Sequence, residues 1–181
     1  MIFGWFGKRA RRRAPAEALF ARIAEASRRP ALYIDGGIPD SFEGRFEALA
    51  LHMFVVLRRL RELPPPADDL AQDLIDACFA YLELGFRNGG VSDIAVPKRM
   101  KKIGQMFYGR LQAYEAGFSA QDAAALDEAL GRNAAPSADP AVLSAYLRAA
   151  AAGLAGCDLG GVLEKEPLFP VFHGKEAVHD V

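Results

Sequence analysis

The sequence contains very little cysteine, and its two cysteines, Cys78 and Cys157, lie far apart. Because they show no CxxC spacing, they predict neither a zinc site nor a redox motif. Cys78 falls on the apolar side of a helical pattern and is expected to be a small core residue. Two cysteines of this kind favour a reducing, cytoplasmic compartment.

Catalytic and cofactor-binding motifs are also missing: no GxSxG, P-loop, dinucleotide fingerprint or HExxH occurs. The three histidines are His52, His173 and His179. None has the partner four residues away, or the nearby cysteine, that a metal or haem ligand needs. His52 stands alone in an apolar helical stretch, where a core histidine with one hydrogen bond is the commoner case. We therefore expect no cofactor, no metal and no enzyme activity.

β-Branched residues are few, whereas alanine, leucine, arginine and glutamate are abundant. This composition favours helix throughout. With 51% hydrophobic and 25% charged residues, the 181-residue chain has enough apolar residues to form the core of one globular domain. The most apolar predicted helix is too short to span a bilayer, which needs about 18 or more apolar residues.

Periodicity and helix-end signals predict a single-domain, all-α bundle of about six main helices with an irregular carboxy-terminal tail. Pro15 is placed in the first turn of the first helix. Residues 32–39 are predicted to be a loop, and Pro64-Pro65-Pro66 a stiff connector between helices. The predicted helices span residues 15–29, 40–62, 67–88, 97–117, 119–131 and 139–156.

The helix at residues 40–62 is expected to be the central one. Asp40 is its predicted N-cap, and Glu43 completes a capping box. A helix that is apolar nearly all round must be covered on most sides, so other helices should pack around it. Its apolar residues at helical spacing include Phe42, Phe46, Leu49, Met53, Val56 and Leu60.

Charge is distributed unevenly. Residues 1–30 contain eight Lys or Arg and two Glu, a net charge of +6; since the whole chain is −1, the remainder is −7. We interpret residues 1–14 as a basic arm that precedes a helical domain at 15–181. Aromatic residues followed by basic ones suit an anionic membrane surface, with a solvated tail and nucleic-acid binding as the alternatives. The predicted membrane-contact residues are Trp5, Phe6, Lys8, Arg9, Arg11, Arg12 and Arg13.

Two segments of the chain form recognisable motifs: FEGRFEALALH followed by VVLRRL in the central helix, and FRNGGVSDIAVPKRMKKIGQMFYGR at residues 86–110. Both resemble the ubiquinol–cytochrome c chaperone family. The segments occur in the family's order and together cover about residues 40–115. The second departs from the family pattern at Gly89, where a larger apolar residue is expected, and at Ser92, where glycine is expected.

The resemblance implies a non-enzymatic assembly factor for respiratory complex III, the ubiquinol–cytochrome c reductase. It implies binding of newly made cytochrome b, or another complex III subunit, by a cytoplasmic protein that is peripheral at the inner face of the cytoplasmic membrane. Mitochondrial relatives are associated with the ribosome and work with a small partner protein, so both are further implied partners; DNA is not. The alternative is a helical RNA- or ribosome-binding module that uses residues 8–13 and 98–102.

The second family-like segment contains an electrostatic anomaly. Pro97 opens a helix whose first turns carry four basic residues, although that end of a helix dipole favours acidic ones. Either the charge serves a partner, or Asp93, Glu83 or acids of another helix neutralise it. An apolar contact is expected beside it, at Met100, Met106 or Tyr108.

Arg45 belongs to the first family-like segment, and its alternative role is as a buried partner for Asp35 or Glu83. If the basic cluster serves a partner, replacement of its four basic residues by glutamine should leave the fold intact and reduce complex III assembly. The predicted partner-binding residues are Arg45, Arg87, Asp93, Lys98, Arg99, Lys101 and Lys102.

Overall fold

The structure is a computed structural model that describes residues 3–120, 122 and 124–174, with side chains from residue 13 onward. All regular elements in these ranges are helices, which confirms the all-α prediction. They are α1 (Phe3–Ala26), α2 (Pro30–Ile34), α3 (Phe42–Arg61), α4 (Ala67–Asn88), α5 (Val96–Ser119), α6 (Ala124–Asn133), α7 (Ala141–Leu154) and α8 (Leu159–Glu164).

Helix α3 is central, as predicted, and packs against α1, α4, α5 and α7. Every side chain from Phe46 to Leu57 is buried, so the helix is enclosed along most of its length. The predicted N-cap was wrong by one residue. Ser41 caps the helix, because its Oγ accepts a hydrogen bond from Gly44 N at 3.1 Å. The Asp40 carboxylate is bonded to Arg45 instead.

Helix α1 begins at Phe3 rather than at Pro15, which lies inside the helix. A proline in a helix interior removes one backbone hydrogen bond. Pro15 itself is exposed. The boundary at residues 14–15 is therefore not a break in secondary structure, and the division into arm and domain stays a prediction.

Two short helices were not predicted. Helix α2 occupies part of the expected loop at 32–39 and has Pro30 in its first turn. Helix α8 lies in the expected irregular tail, and its N-cap is Asp158, which accepts a hydrogen bond from Gly161 N at 2.7 Å. Beyond α8 the chain is irregular, and Leu168 and Phe169 are buried against the bundle.

The later helix boundaries also differ from prediction. Helix α6 begins at Ala124, whose N–H donates to Asp122 Oδ1 at 2.9 Å, and it continues past Gly131 to Asn133. Helices α5 and α6 approach closely at Gly117, where a Cβ would lie 2.7 Å from Leu126 Cα. A larger side chain at Gly117 would therefore push α6 away from α5.

Candidate interaction surface

The basic cluster at residues 98–102 lies on the first turns of α5. The helix begins with Val96, which is buried, followed by Pro97, which is exposed, and it has no acidic residue in its first turn. Lys98, Arg99 and Lys101 are exposed, as is Lys102. Each basic residue next to the positive end of the helix dipole is unfavourable by roughly 0.3–1 kcal/mol at an exposed site.

Arg87 and Asp93, two of the predicted partner-binding residues, are bonded to each other. Arg87 donates from Nη1 to Asp93 Oδ1 and from Nη2 to Glu83 Oε1, the latter at 2.8 Å. The hydrogen bond to Glu83 raises the pKa of Arg87 above its ordinary value. Asp93 and Glu83, which the alternative interpretation paired with the basic cluster, are thus engaged by Arg87. The structure describes no ion pair between a carboxylate and Lys98, Lys101 or Lys102.

A small apolar cleft opens directly beside this cluster. We call it the Phe86 cleft; it has a volume of about 230 Å³. Arg99 lies on its edge, with its guanidinium carbon 5.7 Å from the centre of the Phe86 ring. Of the three residues predicted to form an adjacent apolar contact, Met106 lines the cleft, whereas Met100 and Tyr108 do not. The main lining residues are Phe42, Phe46, Phe86, Ile103, Met106 and Lys102.

Arg45 lies on a neighbouring cleft and is exposed, so the alternative role, as a buried partner for Asp35 or Glu83, was wrong. Its Nε donates to Asp40 Oδ1 at 2.7 Å, and this bond lowers the pKa of Asp40 and raises that of Arg45. The reason is local: Asp40 precedes Arg45 by five residues, just before α3 begins.

This second cleft, which we call the Tyr81 cleft, has a volume of about 370 Å³. Phe42 and Phe46 line both clefts, so the two are adjacent on one face of the protein. The structure thereby brings Arg45 to the same surface as the basic cluster. The main lining residues are Arg28, Tyr33, Phe42, Arg45, Tyr81 and Leu82.

A buried ion pair holds α3 against α5 beside this surface. Arg110 donates from Nε and Nη2 to Glu47, at 2.9 and 2.8 Å, and the hydroxyl of buried Tyr114 donates to Glu47 Oε2 at 3.3 Å. The hydrogen bond with Glu47 raises the pKa of Arg110, and burial raises that of Tyr114. Sequence reasoning missed this pair, although Arg110 ends the second family-like segment.

His52 is a buried core residue, as predicted, with two hydrogen bonds. Its Nδ1–H donates to Ala48 O at 2.7 Å, and its Nε2 accepts from the Tyr146 hydroxyl at 2.9 Å. Burial lowers its pKa to about 4, so the ring is neutral near pH 7. The bond to Tyr146 joins α3 to α7.

Comparison with known proteins identifies the family. A sequence model described as ubiquinol–cytochrome C chaperone matches residues 35–169, which is well over half of the chain. The chain belongs to the ubiquinol–cytochrome c chaperone family. The crystal structure of the Cbp3 homolog from Brucella abortus is similar, with a TM-score of 0.79 and 32% sequence identity. The alignment covers 95% of this chain and 98% of that one. A search of curated protein sequences gives no match.

The chaperone-family match includes α3, α4 and α5 and therefore most of both clefts. Arg28, on the rim of the Tyr81 cleft, precedes the matched residues. The side chains of Trp5, Phe6, Lys8, Arg9, Arg11 and Arg12 lie outside the described part of the chain. Arg13, the remaining predicted membrane contact, lies 3.8 Å from Asp76 of α4.

Two further features bear on the earlier predictions. His173 is exposed and His179 lies outside the described residues, whereas Cys78 is buried, and burial raises its pKa to about 12. Within the part of the chain that the structure describes, no helix combines the length and apolarity needed to cross a bilayer.

Proposed function

We propose that this protein is a non-enzymatic assembly factor for respiratory complex III that binds newly made cytochrome b. The observation that carries the proposal is the chaperone-family match over residues 35–169, supported by the similarity to the Cbp3 homolog over nearly the whole chain. A newly made membrane protein exposes apolar segments before it joins its partners. A surface with apolar clefts and unpaired charge is suited to hold such a segment temporarily.

The clefts on α3, α4 and α5 form the proposed client surface. Their exposed aromatic and basic side chains provide anchoring contacts and orientation, respectively. The predicted partner-binding residues contribute in two ways. Arg45, Lys98, Arg99, Lys101 and Lys102 would contact the client, whereas Arg87 and Asp93, bonded to each other, would hold the loop between α4 and α5 in place.

We further propose that the protein works at the inner face of the cytoplasmic membrane. Residues 1–13 combine aromatic residues with a basic run, and anionic lipid attracts such segments. A peripheral position there would place the client surface close to the site where cytochrome b is inserted. A small partner protein remains a prediction from the family resemblance.

Deletion of the gene, followed by haem spectra and complex III activity, tests the main proposal. The deletion strain should lose the cytochrome b absorbance and the ubiquinol–cytochrome c reductase activity, and the wild-type gene should restore both. Replacement of Lys98, Arg99, Lys101 and Lys102 by glutamine should leave the circular dichroism spectrum unchanged and fail to restore assembly. A deletion strain with normal complex III would contradict the proposal.

RNA or ribosome binding is the second candidate, favoured by four exposed basic residues within five positions of α5. A salt titration of binding separates the two functions. Affinity for a phosphate backbone falls steeply as salt rises, whereas affinity for a segment held mainly by apolar contact falls little.

A further inference from the structure

The two clefts form one groove, which we call the Phe42 groove. Phe42 contributes to both clefts and is itself 46% exposed, with its ring centre 5.1 Å from that of Phe86. Volumes of about 230 and 370 Å³ on either side of one phenyl ring are suited to separate side chains that project from one partner segment. Helices that dock in grooves present their apolar anchors three or four residues apart in this way.

Cations on both sides of the groove rest on aromatic rings. The guanidinium of Arg28 lies 5.7 Å from the centre of the Tyr81 ring, and that of Arg99 lies 5.7 Å from the centre of the Phe86 ring. A guanidinium over a ring face keeps N–H groups available for a carboxylate. Arg28 uses one of its N–H groups, since its Nη2 donates to the Tyr81 hydroxyl at 3.4 Å. The structure describes no carboxylate bonded to either arginine. Lys102, beside Arg99, adds a third cation.

This charge is not a general property of the protein, because the whole chain has a net charge of −1. It is concentrated around an apolar floor that includes Phe46, Leu49 and Ile103. Glu43 also lines the groove, and its carboxylate repels acidic groups of a partner, whether they are phosphates or carboxylates. The apolar floor and the separated cations together favour a protein segment over a nucleic acid, because a nucleic acid presents a continuous run of phosphates.

From these contacts we infer that the Phe42 groove binds an acidic amphipathic helix of a protein partner. The apolar face of that helix enters the clefts on both sides of Phe42, and its carboxylates pair with Arg28, Arg99 and Lys102. This inference rests on the proposed function and deepens it, because it specifies the kind of client or subunit segment that the chaperone holds.

The test is photocrosslinking of the full-length protein in the deletion strain. Phe42 is replaced by p-benzoylphenylalanine, cells are irradiated, and the crosslinked peptides are sequenced by mass spectrometry. The same replacement at Tyr108, an exposed aromatic residue on α5 that does not line the groove, is the matched control. The Phe42 position should capture a peptide with apolar residues at helical spacing and several Asp or Glu; the Tyr108 position should not.

Charge reversal provides the second measurement. Arg28→Glu and Arg99→Glu should each reduce the crosslink yield at position 42 by roughly tenfold, because like charges then face each other. Arg132→Glu makes the same change of charge at an exposed α6 residue and should leave the yield unchanged. Circular dichroism and urea unfolding verify that each variant is folded.

Several results would overturn the inference: crosslinks to RNA, to lipid, to a second copy of this chain or to peptides without acidic residues, or no crosslink at all. A crosslink yield at position 42 that does not change after charge reversal would also overturn the inference. Complex III assembly in the same strains is measured separately. If assembly needs the protein but position 42 captures no acidic helix, only this inference fails. If deletion leaves complex III intact, the proposed function fails, while the sequenced peptide still reports on the groove.

Discussion

The α3–α4–α5 layer has openings at both ends, and they differ in size and charge. At one end lies the Phe42 groove, which consists of the Phe86 cleft, of about 230 Å³, with Arg99 and Lys102 on its edge, and the Tyr81 cleft, of about 370 Å³, with Arg45 in its lining. At the other lies a groove of about 800 Å³, here called the Tyr108 groove. Its apolar lining includes Leu57, Leu60, Ala71, Ile75, Leu111 and Tyr108.

The larger opening is lined by charges of both signs. Arg61 Nη1 lies 3.8 Å from Glu115 Oε2, which places a cation beside an acid, and Asp68 adds a second acid to the lining. At the smaller opening, Arg99 rests on a ring, and no described carboxylate pairs with Lys102. Volume alone would point to the Tyr108 groove, whereas unmatched charge points to the Phe42 groove. Unpaired charge is the better indicator of a partner-binding surface, because basic residues at the first turns of a helix are unfavourable in the free protein.

Disruption of the Glu47–Arg110 pair should have the largest effect, because this pair joins α3 to α5 between the two openings. In Arg110→Met, the Glu47 carboxylate would be left buried, with only 5% of its side chain exposed. Loss of one partner of a buried pair costs about 3–5 kcal/mol. Urea unfolding should show a loss of this size, and both openings should lose their shape.

Glu47→Gln is the matched variant and should be milder, at about 1–3 kcal/mol, because the Arg110 side chain is 22% exposed and can reach water. The double variant should cost less than the sum of the single changes. If Arg110→Met unfolds at the wild-type urea concentration, the pair does not hold the two helices together.

The helices themselves were predictable because their signals are local. Prolines, glycines and apolar periodicity located α3, α4 and α7 to within a few residues. Helices α2 and α8 were missed because five or six residues are too few to show a period. Pro15 misled the prediction of α1, since proline is common at helix starts but also tolerated at an exposed position inside a helix.

The surface was harder to predict because its features depend on how helices are placed in space. Glu47 and Arg110 are 63 residues apart, and no periodicity relates them. The clefts exist only because α3, α4 and α5 meet around Phe42 and Phe86. The basic cluster was visible in the sequence. The bond between Arg87 and Asp93 was not, and this bond keeps Asp93 from neutralising the cluster.

Buried His52, on the side of α3 that faces α7, should make the stability of the protein depend on pH. Burial lowers its folded-state pKa to about 4, against 6.5 for an unperturbed histidine. Between these values the unfolded chain binds a proton that the folded chain does not, so stability is full above pH 6.5 and falls as pH drops toward 4. On going from pH 7 to pH 4.5, the wild type should lose about 2 kcal/mol more than His52→Gln.

Urea unfolding at the two pH values measures this difference. Because His52 bonds Tyr146 rather than a residue of either opening, His52→Gln should leave crosslinking at position 42 unchanged at pH 7. Equal pH dependence in wild type and variant would show that His52 is not the titrating group.

Removal of residues 1–13 tests whether the basic arm binds membranes independently of partner binding by the Phe42 groove. The truncated protein should no longer float with anionic vesicles, yet it should still crosslink at position 42. Its stability should change by less than about 1 kcal/mol from the lost Arg13–Asp76 contact, since exposed pairs contribute little. Equal flotation of full-length and truncated protein would contradict a membrane role for the arm.

The smallest expected effect comes from a matched pair of exposed arginines, one at each opening. Arg45, 67% exposed, lines the Tyr81 cleft and bonds Asp40; Arg61, 59% exposed, lines the Tyr108 groove near Glu115. Arg45→Gln removes a cation and also frees the Asp40 carboxylate to repel an acidic partner. Crosslinking at position 42 should fall by roughly two- to fivefold, a change typical of an exposed charge.

Arg61→Gln should leave that yield unchanged, and neither variant should alter the urea midpoint appreciably. Asp40→Asn should change the crosslink yield in the opposite direction. The bond from Arg45 holds the pKa of Asp40 below its usual value, so Asp40 is charged near pH 7. Neutralising it removes the carboxylate that is bonded to Arg45 and should raise the crosslink yield. If Arg61→Gln weakens capture as much as Arg45→Gln does, the two openings are not functionally different. Unmatched charge would then not be what distinguishes the Phe42 groove.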